Sequence, residues 1–247
     1  MMTDILFIIQ ARMGSGRLPG KVLKPIGGYT ILDMIVKRVR QSAFYDQSRD
    51  NLIVAASDSK TDDILSAHCL SNRYRVHRGS EQRVLDRFAQ VIEQVKPDIA
   101  VRLTGDNPFV DPSLLDFLIQ SHLDQHADYT YICGTPLGIG GEAVNARLLT
   151  EINADKTLAD KYQEHVTLLI RESPERYRLL FPEPPQELRA PHLRMTVDTE
   201  EDYRLARELY VKAGSRPDIP AKELIHLMNR DPELRAINQM IRQKEAD

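Results

Sequence analysis

Apolar runs alternating with segments of helical spacing constrain this chain more than any other feature. Ile5 to Ile9 and Leu52 to Ala56 are unbroken apolar stretches, and Ile99 to Leu103 admits only Arg102. Unbroken runs of this length mark strands buried on both faces, as in parallel sheets. Arg75 to His77 and Asp128 to Cys133 complete five predicted strands. Between them lie four predicted helices. Thr30 caps the first, with Ile31, Ile35 and Val39 on one face, and Thr61-Asp62-Asp63 opens the second. Glu81 to Val95 is the third, with Val84, Leu85, Phe88, Val91, Ile92 and Val95 aligned. Asp111-Pro112 starts the fourth, the carboxylate capping and the proline at the first helical position. The order βαβαβαβαβ predicts an α/β fold with a doubly wound, mostly parallel, Rossmann-like sheet. Such sheets bind ligands at the carboxyl ends of their strands.

The second half is less regular. Gly134 to Gly141 holds four glycines and a proline in eight residues and is expected to be a loop. Asn145 to Ile152 and Lys161 to Glu172 read as helical. Pro182, Pro184, Pro185 and Pro191 deny both helix and central strand to the stretch they occupy. His192 to Val197 reads as a strand, Thr199 to about Ala213 as a capped acidic helix, and Ala221 to Met228 as a last helix before a charged tail expected to fray.

At 247 residues the chain suits one domain spanning 1–247. A net charge of −3 argues against nucleic-acid binding. Cys69 and Cys133 are widely separated and fit reduced thiols. The run Ile5 to Ile9 is too short for a signal peptide or a membrane span, so a cytoplasmic protein with no membrane partner is expected.

Three groups of residues carry possible chemistry. From Gln10 to Gly28 there are four cations, Arg12, Arg17, Lys21 and Lys24, and no acid, interleaved with Gly14, Gly16 and Gly20. Glycines admit close backbone approach, and successive N–H groups such as those of Ala11, Met13, Gly14, Ser15 and Gly16 can cradle an anion. This suits a triphosphate; the alternative is a solvated basic loop. A P-loop is excluded, because Gly20-Lys21 is followed by Val22 rather than a hydroxyl residue, and Pro19 spoils a dinucleotide fingerprint. The second group is Gly105-Asp106-Asn107-Pro108 just past a strand, where Asp106 could hold magnesium or simply initiate a turn. The third is Asp198, at the start of Asp198-Thr199-Glu200-Glu201-Asp202, a second strand-end carboxylate or a plain helix cap. Two such aspartates could meet across a crevice and share one metal.

The stretch Gln10-Ala11-Arg12-Met13-Gly14-Ser15-x-Arg17-Leu18-Pro19-Gly20-Lys21-Val22-Leu23 resembles the signature of the CMP-sugar synthetase superfamily, in particular its spore coat polysaccharide biosynthesis protein F-like branch. The superfamily includes the acylneuraminate and 3-deoxy-manno-octulosonate cytidylyltransferases. The resemblance continues through Arg78-Gly79-Ser80-Glu81, Val84 to Arg87, Arg102 to Pro108, Glu164 to Thr167 and Val197 to Asp202, covering roughly residues 5 to 210. It implies a nucleotide-diphospho-sugar transferase-like fold and transfer of CMP from CTP to a small acidic sugar-type acceptor, with Mg2+. Arg12 and Lys21 would hold the triphosphate, Asp106 and Asp198 the Mg2+, and Arg17, Ser80 and Arg87 would lie by the nucleotide. Glu142 and His165 would face the acceptor; structurally, Glu142 could instead cap a turn and His165 pack within a helix. The chain departs from the family at Gly16, usually threonine, and at Gly140, usually aspartate. A homodimer is implied, with residues 134–190 as acceptor-side and interface segment. Rival readings are a nucleotidyltransferase for a sugar phosphate or phosphonate, and a nucleotide-sugar-dependent glycosyltransferase; glycosyltransferases lack the Arg12-to-Lys21 loop.

Overall fold

The structure, a computed structural model, describes residues 3–242. Strand β1 (Ile5–Gln10) is followed by a loop, a 3-10 turn at Lys21–Leu23, and a small hairpin of β2 (Pro25–Ile26) and β3 (Tyr29–Thr30). Helix α1 (Ile31–Val39) begins at a capping box: the Thr30 hydroxyl accepts from the Asp33 N–H, and the Asp33 carboxylate accepts from the Thr30 N–H. Then come β4 (Leu52–Ser57), α2 (Asp63–Ser71), β5 (Arg75–Gly79), α3 (Val84–Val95), β6 (Ile99–Thr104) and α4 (Pro112–Asp124). Strands β5, β4, β1 and β6 are adjacent and parallel, as the alternation of elements predicts. In β1, Ile5, Phe7 and Ile9 face the packing formed with α1, α4 and the C-terminal helices, and Leu6 and Ile8 face α3. The chain winds outward from β1 through β4 to β5, then restarts at β6 on the other side of β1. That reversal is the switch point where doubly wound sheets open a crevice.

The other half of the sheet is mixed. Strands β7 (Tyr129–Tyr131), β8 (Glu142–Asn145) and β9 (Leu179–Leu180) extend it in the order β6-β8-β7-β9, with β8 antiparallel to both neighbours. Several sequence expectations change here. Asn145 ends β8, and the helix that follows, α5, is Ala146–Asn153. The helix expected over Lys161 to Glu172 is two short ones, α6 (Asp160–Glu164) and α7 (Leu168–Arg171), parted at His165 to Thr167. The helix expected from Glu81 starts at Val84. His192 to Val197 is not a strand. Its backbone bonds a loop instead: Met195 N–H and Thr196 N–H donate to Leu137 O, and Val197 N–H donates to Asp106 O. Gly138 permits this approach, since a Cβ there would lie 2.5 Å from Thr196 N, and its φ of +102° disfavours any side chain.

Helices α8 (Glu200–Lys212), α9 (Ala221–Arg230) and α10 (Pro232–Ala236) close the fold. Buried Arg38 brackets them to α1: its Nε donates to Val110 O at 2.6 Å and its Nη1 to Ile219 O at 2.7 Å. Burial pushes its pKa down to about 10, still charged at neutral pH. The tail expected to fray is ordered at first: Asp231 caps α10, and Leu234 and Asn238 are buried. Residues 243–247 of that tail lie outside the described residues.

Candidate active site

The crevice between the ends of β1 and β6 is built from the backbone outward. Gly105 N–H donates to Gln10 O, and a Cβ on Gly105 would sit 2.9 Å from that of Ala11, so only glycine lets the two strand ends meet. Past Ala11, the loop folds on itself: Ser15 and Gly20 N–H groups both donate to Met13 O, Gly20 in the left-handed region at φ +69°. Asp62 holds the loop from beneath. Its carboxylate is fully buried, accepts from Met13 N–H at 2.7 Å, and accepts from both the Ser57 N–H and hydroxyl. The expected anion cradle is therefore smaller than the sequence suggests: the Ala11, Met13 and Ser15 N–H groups are spent on Ala55 O, Asp62 and Met13 O, while Gly14, Ser15 and Gly16 line the open side of the cleft.

Lys21 enters this cleft from the 3-10 turn. Its ammonium donates to Asp106 Oδ2 and to Asp198 Oδ1, both at 2.8 Å. The two carboxylates, 92 residues apart in sequence, thus lie on either side of one nitrogen. Asp106 does not cap the turn before Pro108: Thr104 Oγ1 donates to its Oδ1 at 2.6 Å, leaving Oδ2 for Lys21. Asp198 is not a helix cap either. Thr199 caps α8, with Asp202 reciprocating, which frees the Asp198 side chain for the cleft. Arg194 Nη2 donates to Asp198 Oδ2 at 2.6 Å, and Arg17 Nη2 lies 3.3 Å from the same oxygen. Burial pushes the Asp198 carboxyl up, but Lys21 and Arg194 outweigh it, and the net pKa is below the usual range. Burial opposes the Lys21 charge too, yet Asp106 and Asp198 together raise its pKa. The cleft, about 290 Å³, is lined by Arg12, Gly14, Ser15, Gly16, Arg17, Lys21, Asp106 and Asp198 among others.

The remaining predicted residues lie around this centre. Arg12 is half exposed at the rim, 3.9 Å from Glu81. Arg87 is buried behind the loop, donating to Ser80 O, with its pKa pushed down to about 10 by burial despite nearby Asp62. Ser80 Oγ accepts from the Arg83 N–H, so Ser80 and Arg87 shape the cleft wall rather than its lining. A second, smaller cavity of about 120 Å³ adjoins along Thr104, lined by Arg102, Asn107, Tyr131, the 135–138 loop, Gly140 and Glu142. Glu142 is no turn cap. Arg102 Nη1, Tyr129 OH and Thr167 Oγ1 all donate to it, at 2.7, 2.8 and 3.1 Å. Burial alone would raise its pKa, but Arg102 and the Tyr129 hydroxyl bring it below the usual range. His165 is half buried between α6 and α7 and lines neither cavity.

Arg194, Asp202, Asp62 and Asn238 were not legible as site residues. Arg194 did carry a signal: Arg194, Thr196 and Asp198 alternate with Leu193, Met195 and Val197, so the polar set shares a side with the aspartate. Asp62 carried none, because the loop residue it holds, Met13, lies 49 residues away.

A glycine loop rich in cations facing two convergent carboxylates, at the switch point of a mostly parallel sheet, defines the class: a nucleotidyltransferase of the nucleotide-diphospho-sugar transferase fold. The family model for cytidylyltransferases matches residues 6–230, and the chain belongs to that family of CTP-dependent nucleotidyltransferases. It is similar to the spore coat polysaccharide biosynthesis protein SpsF of Bacillus subtilis (strain 168), 62% identical over 232 residues, 94% of this chain and 97% of the relative. A 3-deoxy-manno-octulosonate cytidylyltransferase of Syntrophotalea carbinolica is 30% identical over 113 residues, 46% of this chain and 43% of the relative. Among solved structures, a cytidylyltransferase from Leptospira borgpetersenii superposes with a TM-score of 0.86 at 27% identity, covering 99% of this chain and 100% of the other. A CMP:2-keto-3-deoxy-manno-octonic acid synthetase complexed with CTP shares the fold, with a TM-score of 0.63 at 18% identity over 85% of this chain and 99% of the other. No helix among the described residues is long and apolar enough to cross a membrane.

Proposed function

We propose that the crevice transfers a cytidylyl group from CTP to a small acidic sugar-type acceptor and releases pyrophosphate. One observation carries the reading: Lys21 Nζ lies 2.8 Å from both Asp106 and Asp198. Two convergent carboxylates with a single exchangeable ammonium between them are oxygen donors suited to Mg2+, which takes one or two carboxylates and completes its shell with water and substrate phosphates. Asp106 and Asp198 would hold the Mg2+, and the bound ion would offset charge on the phosphates. Lys21, Arg12 and Arg17 supply positive charge on the same side as the loop backbone of Gly14 to Gly16, where the triphosphate would lie. Lys21 would leave the carboxylates for the phosphates when the nucleotide enters. Positioning and charge then serve in-line attack by an acceptor oxygen on the α-phosphorus, with no covalent nucleophile on the protein.

The acceptor would enter from the smaller cavity, where Glu142 helps fix the wall through Arg102. Residues 134–190, which carry edge strand β9 and exposed Phe181, are the proposed homodimer face. A cytoplasmic setting follows from the need for CTP. The test is product analysis by mass spectrometry after incubation with CTP, Mg2+ and a panel of acidic sugars. A CMP-sugar is expected; a nucleoside diphosphate-sugar from a sugar phosphate would overturn the acceptor assignment.

A further inference from the structure

The segment after α9 reaches the carboxylate centre from outside the residues the family model covers, which end at 230. Asn238 lies in the turn that follows α10 and is buried. Its Nδ2 donates to Asp202 Oδ1 at 2.8 Å and to the backbone oxygen of Arg194 at 3.2 Å. Both partners are acceptors, which fixes the orientation of the amide. Asp202 is itself the hub of the region. Its Oδ1 also accepts from Arg194 Nε at 2.9 Å; its Oδ2 accepts from Arg194 Nη2 at 3.0 Å and from the Asp198 N–H at 3.0 Å. Arg194 Nη2 in turn holds Asp198 Oδ2. The backbone N–H bond from Asp198 to Asp202 and the Arg194 bond to the Asp198 carboxylate therefore both run through groups that Asn238 ties together.

Resting on the reading of Asp198 as a Mg2+ ligand, we propose that Asn238 is a positioning residue for the transfer reaction. Through Asp202 and Arg194 it sets the Asp198 carboxylate for the metal–nucleotide complex, and the C-terminal segment is thereby part of the active site. Partners behind a ligating carboxylate hold it in the orientation a cation needs. Packing alone does not account for the arrangement. Leu234 already anchors the segment in the core, and the Lys212–Asp231 ion pair fastens its start to α8. Asn238 adds two directed bonds, both to groups behind Asp198.

The experiment measures CTP affinity by calorimetry on the full chain, with Mg2+ and with EDTA, for the wild type, Asn238→Asp and Lys212→Ala. Asn238→Asp keeps the shape but sets a carboxylate against Asp202 and the Arg194 carbonyl. It should lose about 10-fold or more of the gain in CTP affinity that Mg2+ confers, as loss of a ligand's outer partner does, with affinity in EDTA held. Lys212→Ala, which loosens the same segment without touching the crevice, should keep the whole gain. A full Mg2+ gain in Asn238→Asp, with only its melting temperature lowered, overturns the proposal. If that variant does not fold, Asn238→Ala, which adds no charge, is held to the same two results. The wild type reports separately on the underlying reading: no Mg2+ gain there removes the metal role of Asp198, and this proposal with it.

Discussion

Two acidic centres flank the end of β6, and their partners set them apart. At Asp106 and Asp198 the central counter-ion is Lys21, a single ammonium on a flexible stem, and both carboxylates border the open cleft. At Glu142 both oxygens are met by donors fixed on neighbouring elements: Tyr129 on β7, Arg102 on β6, and Thr167 beside α7. On the proposed reading the first centre exchanges Lys21 for another cation while Arg194 stays on Asp198. The second is closed, and removing any member strands a buried charge or hydroxyl. The contrast teaches that a carboxylate's partners, more than its burial, distinguish a reactive centre from a structural one.

The comparison breaks most clearly at Asp106. Asp106→Ala should lower turnover about 10³-fold, as loss of a charge-positioning group at a reacting centre does, while the melt stays cooperative. Pyrophosphate release and circular dichroism read the two halves of that statement; near-normal turnover would put the chemistry elsewhere. Glu142→Gln should behave in the opposite way. Leaving Arg102 without its carboxylate should cost about 3 kcal/mol in urea unfolding, with CTP affinity little changed. A variant as stable as the wild type would erase the distinction between the centres.

Lys21→Ala sharpens the first centre. Losing a charge-assisted contact to phosphate should weaken CTP binding by about 2 kcal/mol, more than it reduces folding stability. Unchanged affinity by calorimetry would remove Lys21 from the phosphate site.

The smallest effect is on pH dependence. Asp198 and Asp202 titrate below the ordinary 3.8 when folded, so the stability they lend is present above that pH and lost as pH falls through their lowered values. Lys21 is raised above 10.5, so its contribution is full below that pH and lost as pH rises through the raised value. Urea midpoints from pH 5 down to about 2 should decline less steeply in Asp198→Asn than in the wild type. Parallel declines would mean that Asp198 contributes nothing through its ion pairs.

The parallel half of the sheet was legible because strands buried on both faces write themselves as apolar runs, and the helices between them carry starting signals such as Thr30 and Asp111-Pro112. The β8 strand was not. It has four residues, begins with a charged Glu142 whose partners are on other elements, and runs straight into α5, so neither length nor alternation announces it. His192 to Val197 has the alternation of a strand but spends its N–H groups on the loop at Leu137 and on Asp106. Of the candidate site, the loop from Ala11 to Lys21, Asp106 at the end of β6 and Asp198 could be read, because glycine, cation and carboxylate positions are local properties, although the strand expected before Asp198 is absent. Their convergence on Lys21, the bracing by Arg194 and Asp202, and the hold of Asp62 on Met13 are long-range contacts that local spacing does not encode.

The most direct test of the account is pyrophosphate release measured with each of the four nucleoside triphosphates, Mg2+ and a panel of acidic sugars, in the wild type and in Asp106→Ala. Release is expected with CTP and an acidic sugar, lost in EDTA and lowered about 10³-fold by the substitution. Release that favours another nucleotide, or that stays near normal in Asp106→Ala, would contradict it.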